Sequence, residues 1–370
     1  MSPRITISGY YGFDNAGDEA LLSALVSDLH REVEGADLTV LSRDPGETRR
    51  THGVGAVDRF HLPSVLRVLR NTDLFISGGG TLLQDKTSLR SLIYYASLAL
   101  VASSLGARLM LYASGLGPLD SRLGRELARR VILRADAVTL RDNLSRQKLD
   151  ELFRSGLPDR VRGRIRVTAD PAFGLSAVSP QRTAEILAQE GLLQRQKDLL
   201  IVSIRPWEGQ DSLVRAVTGA LEQLAETAGV FPVFLPMHYP EDHRLAQLLA
   251  RGMKTPSHVI TRAYSPQEVI GLMGCARGVV GMRLHSLIMA VTAGVPCLGL
   301  IYDPKVSGFL ADMGLPATGP IPEITASNLF SRVTSFLDSL ETYRQRIRKQ
   351  RGVLRQRARE NARIARDLLT

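Results

Sequence analysis

Cysteine is nearly absent from this 370-residue chain: only Cys275 and Cys297 occur, both in apolar stretches and without metal-ligand spacing. That argues against a disulfide framework and against a zinc site, and it fits a reducing, cytoplasmic compartment. Long apolar runs are missing too, none approaching the roughly 18 residues that a membrane-spanning helix needs. The first residues lead straight into a strand pattern, so no leader segment is expected. Aromatic residues make up only 5% of the chain, and no basic stretch is interleaved with them as a nucleic-acid surface would be. Low-complexity segments and short repeats are also lacking. No histidine pair, His238 and His243 included, has convincing metal spacing, so no metal is expected.

What is present in excess is positive charge, a net +10. Residues 341–370 hold ten Arg/Lys against three Asp/Glu, which places seven of the ten excess charges in a C-terminal helical tail. The tail reads as a solvated helix face in preference to the alternative, a peripheral contact with anionic lipid at the inner membrane surface.

The rest of the chain, 44% hydrophobic overall, alternates short apolar runs with helical patterns, the rhythm of βαβ units. Strands are expected at Ile5–Ile7, Leu38–Leu41, Leu74–Ser77, Leu109–Ser114 and Ala137–Leu140. After a weakening of the pattern between Gly174 and Asp198 they resume at Leu199–Ile204, Phe231–Leu235, Val259–Thr261 and Gly278–Met282. Ser265-Pro266-Gln267-Glu268 is a helix start, with a serine cap, proline in the first turn and a glutamate able to reach back. The expected architecture is α/β: two doubly wound, Rossmann-like domains at 1–176 and 199–340 with a cleft between them, followed by the tail at 341–370. Ligands of such sheets sit beyond the carboxyl ends of the strands, so the chemistry should lie there.

Five strand ends carry suggestive residues. Gly9 to Glu19 opens a helix without the spacing of a dinucleotide fingerprint, and Asp14, Asp18 and Glu19 would repel a phosphate there. The loop suits a hydroxyl-rich ligand, with Asp14 either a base for a sugar hydroxyl or an ordinary loop residue. Gly78-Gly79-Gly80 would let backbone approach a ligand. Arg141, just past Ala137–Leu140, has the fork that matches a carboxylate or phosphate, or else a structural ion pair. Arg283-Leu284-His285-Ser286 and Tyr302-Asp303-Pro304-Lys305 add a histidine at a helix entrance and a further cation.

Together with Asp170-Pro171-Ala172-Phe173, these motifs resemble the polysaccharide pyruvyl transferase family over Ile5 to about Gly314, most closely its bacterial cell-surface-anchoring branch. The resemblance implies a GT-B-like arrangement, phosphoenolpyruvate as donor, and a lipid-linked oligosaccharide acceptor whose N-acetylmannosamine receives a 4,6-pyruvate ketal. It implies His285 as general acid, Asp14 as base, and a reaction that requires no redox cofactor. Arg141, Arg283, Ser286 and Lys305 would hold the donor, Lys305 standing where the family often has arginine. Asn15, Asp18, Gly79 and Gly80 would hold the acceptor. A nucleotide-sugar glycosyltransferase of the same fold and a non-catalytic carbohydrate-binding protein are the competing readings.

Overall fold

The computed structural model describes residues 2–86, 88–154, 156–195 and 199–370. Gln196, Lys197 and Asp198, at the end of the expected interdomain stretch, lie outside the described residues. The chain forms two compact units: one of residues 1–14, 18–174 and 354–370, the other of residues 15–17 and 175–353.

The first unit is built on strands β1 (Arg4–Ser8), β2 (Asp37–Ser42), β3 (Gly55–Asp58), β4 (Leu74–Ser77), β5 (Gly80–Leu83), β6 (Arg108–Leu116), β7 (Ala137–Leu140) and β8 (Ile165–Val167). They run β3-β2-β1-β4-β6-β7-β8, with β5 pairing β6. The described pairings are parallel, Ile7 lying between Val40 and Ile76. Parallel strands need helical crossovers that cover both faces, which is why β4 reads Leu-Phe-Ile-Ser with no polar alternation and is buried throughout. Ile5, Ile7, Leu22, Leu25, Val40 and Ile76 form the core on one face, Phe75, Leu92, Leu109, Leu111 and Ile132 on the other.

The basic tail belongs to helix Leu340–Asp367, and it is more than a solvated face. Ala362 and Ala365 enter the first unit's core. Asn361, fully buried, accepts from Thr168 Oγ1 at 2.7 Å and donates to the Ala169 carbonyl at 3.2 Å. Arg357 donates to the Thr168 carbonyl at 2.7 Å, and Arg366 meets Glu32 at 3.4 Å. Part of the tail's charge is thus spent inside the fold.

The second unit repeats the plan with β9 (Leu199–Ser203), β10 (Phe231–Phe234), β11 (His258–Val259), β12 (Gly278–Gly281), β13 (Cys297–Ile301) and β14 (Ala317–Pro320), ordered β11-β10-β9-β12-β13-β14. The capping box at Ser265 forms as its residues require: the hydroxyl accepts from the Glu268 N–H, and the Glu268 carboxylate from the Ser265 N–H. The strand order reverses between β9 and β12, the place where doubly wound sheets bind ligands.

Candidate active site

At that reversal three strand ends of the second unit carry side chains of one chemical kind. Beyond β9 comes Arg205, two residues past Ser203. Beyond β12, Arg283 caps helix Leu284–Ala293, which places His285 in its first turn. Beyond β13, Tyr302 precedes Asp303, whose carboxylate accepts from the Lys305 N–H at 3.0 Å and so starts helix Pro304–Met313. The Arg205 guanidinium lies 5.1 Å from the Tyr302 ring centre and the Lys305 ammonium 5.8 Å from it. Trp207 packs edge-on against the same ring at 5.6 Å. Lys305 Nζ keeps 3.8 Å from Asp303 and is partly exposed. Because β12 runs between β9 and β13, His285 stands in sheet order between the two cation-bearing ends.

Gly281 and Gly17 explain how the histidine is seated. A side chain at Gly281 would meet Ser286 Oγ at 2.6 Å and Leu287 at 2.7 Å, so the glycine lets the helix begin directly after the strand. A side chain at Gly17 would overlap the His285 ring, which lies against that backbone. Asn15 Oδ1 accepts from the Gly17 N–H at 3.0 Å, the Ala16 N–H donates to the Met237 carbonyl at 2.8 Å, and Asn15 pairs with His238.

Two residues read from the sequence as donor-holding have other engagements. The Arg283 fork donates to both oxygens of Asp242, Nε to Oδ2 at 2.5 Å and Nη2 to Oδ1 at 2.6 Å. Asp242 is fully buried and also accepts from the Met237 and His238 N–H groups, so the pair braces the β10 loop. Ser286, also fully buried, donates to the Arg283 carbonyl at 2.6 Å. Both lie inside the scaffold that carries His285.

In the first unit Arg141 follows β7 and is buried. Its Nη2 donates to Thr81 Oγ1 at 3.1 Å, its Nε to Asp142 at 3.2 Å, and its Nη1 stands 3.7 Å from Asp170. Gly115 on β6 makes room, since a side chain there would reach 3.0 Å from the guanidinium. Asp142 has a second task as cap of helix Asn143–Leu152, accepting from the Ser145 N–H at 2.7 Å.

The glycine loops have a partly internal explanation. A side chain at either Gly9 or Gly78 would overlap the buried Tyr11 ring, so these two glycines house one tyrosine. Burial pushes the Tyr11 phenol well above its ordinary pKa. Gly79 packs against Leu21, whereas Gly80 has φ +93° and stands close to the Asp18 carboxylate, 3.6 Å from where its side chain would begin. Asp14 adopts φ +55°, unusual for a residue with a side chain, and is exposed. Glu19 is structural: it accepts from the Gly12 N–H at 2.9 Å and pairs with His52 at 3.1 Å. Arg205 and Trp207 escaped sequence reasoning, although Arg205 follows its strand in the same manner as Arg141.

The family model described as polysaccharide pyruvyl transferase matches residues 15–304. The chain belongs to the polysaccharide pyruvyl transferase family. A relative, the amylovoran biosynthesis protein AmsJ of Erwinia amylovora, is 20% identical, covering 93% of this chain and 94% of its own. Among solved structures, a putative UDP-N-acetylglucosamine 2-epimerase from Listeria monocytogenes superposes with a TM-score of 0.68 at 15% identity, over 97% of this chain and 94% of its own. A glycosyltransferase from Rickettsia africae gives a TM-score of 0.64 at 11% identity, over 100% and 99%. These likenesses give this pyruvyl transferase family member the two-domain fold of GT-B-type enzymes. Among the described residues no group of three metal-ligating side chains gathers, and no helix is long and apolar enough to cross a membrane.

Proposed function

We propose that the chain transfers the pyruvyl group of phosphoenolpyruvate to two hydroxyls of one sugar, forming a 4,6-ketal on N-acetylmannosamine of a lipid-linked cell wall polymer precursor, in the cytoplasm. Family membership gives the reaction class. The observation that carries the donor is the cationic edge of the second sheet, where Arg205 and Lys305 flank Tyr302 and the helix bearing His285 begins on the strand between them.

An enol phosphate becomes electrophilic at C2 when a proton is added at C3, and His285 is the donor of that proton. The sugar 4-hydroxyl then adds to the oxocarbenium-like C2, giving up its proton to Asp14. Departure of phosphate, which takes up the proton held by Asp14 as it leaves, recreates the cationic centre, and the 6-hydroxyl closes the ketal as its proton returns to His285. Phosphate and carboxylate stay anionic throughout, so Arg205, Lys305 and Arg141 act by holding charge. Arg283 and Ser286 position the histidine. Asn15, Asp18, Gly79 and Gly80 serve the acceptor.

The test is substrate-resolved. Purified protein is given phosphoenolpyruvate or a panel of nucleotide sugars, with and without a synthetic lipid-linked disaccharide. Phosphate release that requires both phosphoenolpyruvate and acceptor, with a ketal in the product, is the expected result. Release of a nucleotide instead overturns the proposal.

A further inference from the structure

One face of the first unit combines features that none of the chemistry above uses. Phe60, in the turn after β3, and Leu62, which opens helix Leu62–Leu69, are 60% and 61% exposed, the two most exposed large apolar residues described. The turn that presents them is firmly built. The Phe60 N–H donates to Asp58 at 2.9 Å, and the Tyr94 hydroxyl donates to the Arg59 carbonyl at 2.9 Å. Arg59 itself is buried, its guanidinium 4.6 Å from the Tyr94 ring centre and donating to the Gly9 carbonyl at 3.0 Å. Phe60 therefore points outward from a fixed support.

The apolar surface continues on the neighbouring helix Leu89–Ser104, where the Phe60 and Tyr94 rings stand 6.1 Å apart. Ile93 and Val101 are exposed on it, eight residues apart and so on one face, with Leu105 exposed just past its end. They line a stripe about 18 Å long from Ile93 to Leu105. Neither this helix nor helix Leu62–Leu69 contains an acidic residue.

The charges around the stripe are mostly positive, Asp58 beside Phe60 being the exception. Arg43 lies 5.7 Å from the Phe60 ring centre, Arg90 is exposed in the first turn of the Ile93 helix, and Arg134 donates to Ser103 at its far end at 3.0 Å. Across residues 59–134 there are eleven Arg/Lys and four Asp/Glu; one of the four, Glu126, is paired with Arg130. Protruding apolar side chains rimmed by cations match a surface that is anionic outside and apolar just beneath. We infer that this face docks the protein on a bilayer bearing anionic headgroups, Phe60, Leu62 and Ile93 entering between the headgroups while Arg43, Arg90 and Arg134 meet their charges. The helix Leu340–Asp367 suits this task less well: its largest exposed apolar residue is Val353, and it offers charge without an apolar stripe.

The inference rests on the surface alone and not on the reaction, so its test uses no donor or acceptor. Vesicles of phosphatidylcholine with and without phosphatidylglycerol are floated with the full chain at low and high salt. Binding to the anionic vesicles, weakened by salt, is expected. Phe60→Ser/Leu62→Ser should lose at least tenfold in partitioning, Ile93→Ser and Arg90→Glu severalfold each, with melting temperatures unchanged because these side chains are exposed. Arg348→Glu/Lys349→Glu on the tail helix should bind within twofold of the unaltered protein. The inference falls if the anionic and neutral vesicles bind equally, if the Phe60/Leu62 variant partitions normally, or if the tail variant alone loses binding. A protein that ignores vesicles but forms a dimer abolished by Phe60→Ser/Leu62→Ser also overturns it, the face then being a contact between two copies.

Discussion

Arg141 and Arg283 occupy the same place in two similar sheets: each directly or nearly follows a strand, each is largely buried, and each touches aspartate. Their partners nevertheless differ in kind. Arg283 spends two nitrogens on the two oxygens of one fully buried carboxylate, leaving that fork satisfied. Arg141 divides itself among a hydroxyl, a carboxylate already capping a helix, and a second carboxylate at 3.7 Å. A concentrated pair is a brace, whereas a dispersed set of longer contacts can yield to an incoming carboxylate or phosphate. Residue type and topological position are therefore not enough to assign a role; the geometry of the partners decides it.

The largest effect should come from the residue that the brace positions. His285→Gln keeps a polar side chain but cannot deliver a proton to C3, so turnover should fall by about a hundredfold to ten-thousandfold while donor affinity is retained. Single-turnover rates and calorimetry on one preparation separate the two. A stable variant that forms ketal at a near-normal rate would remove His285 from the chemistry.

Arg283→Ala should act on the fold first, leaving Asp242 buried and unpaired at a cost of about 3–5 kcal/mol. Denaturant unfolding measures it. Should the variant keep its stability and lose only donor affinity, Arg283 would join Arg141 as a ligand-holding residue and the contrast would collapse. Arg141→Ala should show the converse pattern, weakening phosphoenolpyruvate binding by about 1.5–3 kcal/mol, roughly ten- to a hundredfold. Unchanged affinity by calorimetry would make Arg141 a second brace.

The smallest effect serves as a control from a carboxylate network given no part in the chemistry. Burial pushes the Glu190 carboxyl up, but hydrogen bonds from His258, Tyr264 and the Thr261 N–H outweigh it and leave the pKa below the usual carboxylate value. A carboxylate lowered in the folded state adds stability that is complete above its unfolded pKa of about 4.3 and is lost as pH falls through the folded value. Glu190→Gln should therefore cost about 1–2 kcal/mol at pH 7, with the gap closing below about pH 4. A gap independent of pH would show that packing, not charge, is what Glu190 contributes.

Much of the scaffold was legible because parallel strands buried on both faces are apolar throughout: Ile5–Ile7, Leu74–Ser77, Ala137–Leu140 and Gly278–Met282 all fall on observed strands. Edge and short strands lacked that signal. Gly55-Ala-Val-Asp and Ile165–Val167 offer too few apolar residues, and Gly80–Leu83 begins with the glycine that suggested a loop. Within the site, residue types at strand ends were readable but their partners were not, since Asp242 lies 41 residues from Arg283 and Thr81 lies 60 from Arg141. The overlap of Gly9 and Gly78 with Tyr11 is equally a matter of three dimensions, and it shows why glycines at a strand end need not all face a ligand.

The return of residues 354–370 to the first unit bears on how the protein is made. A ribosome releases residues 1–174 long before Asn361, Ala362 and Ala365 exist, so the unit that emerges first lacks part of its core until residues 354–370 are made, while the stretch 175–353 becomes available to fold in between. Chain order and order of completion are thereby reversed. A nascent first unit would leave the apolar surface beneath Ala362 uncovered until residues 354–370 are made, which makes that surface a natural point of engagement for a chaperone and makes residues 354–370 the wrong place to trim for expression.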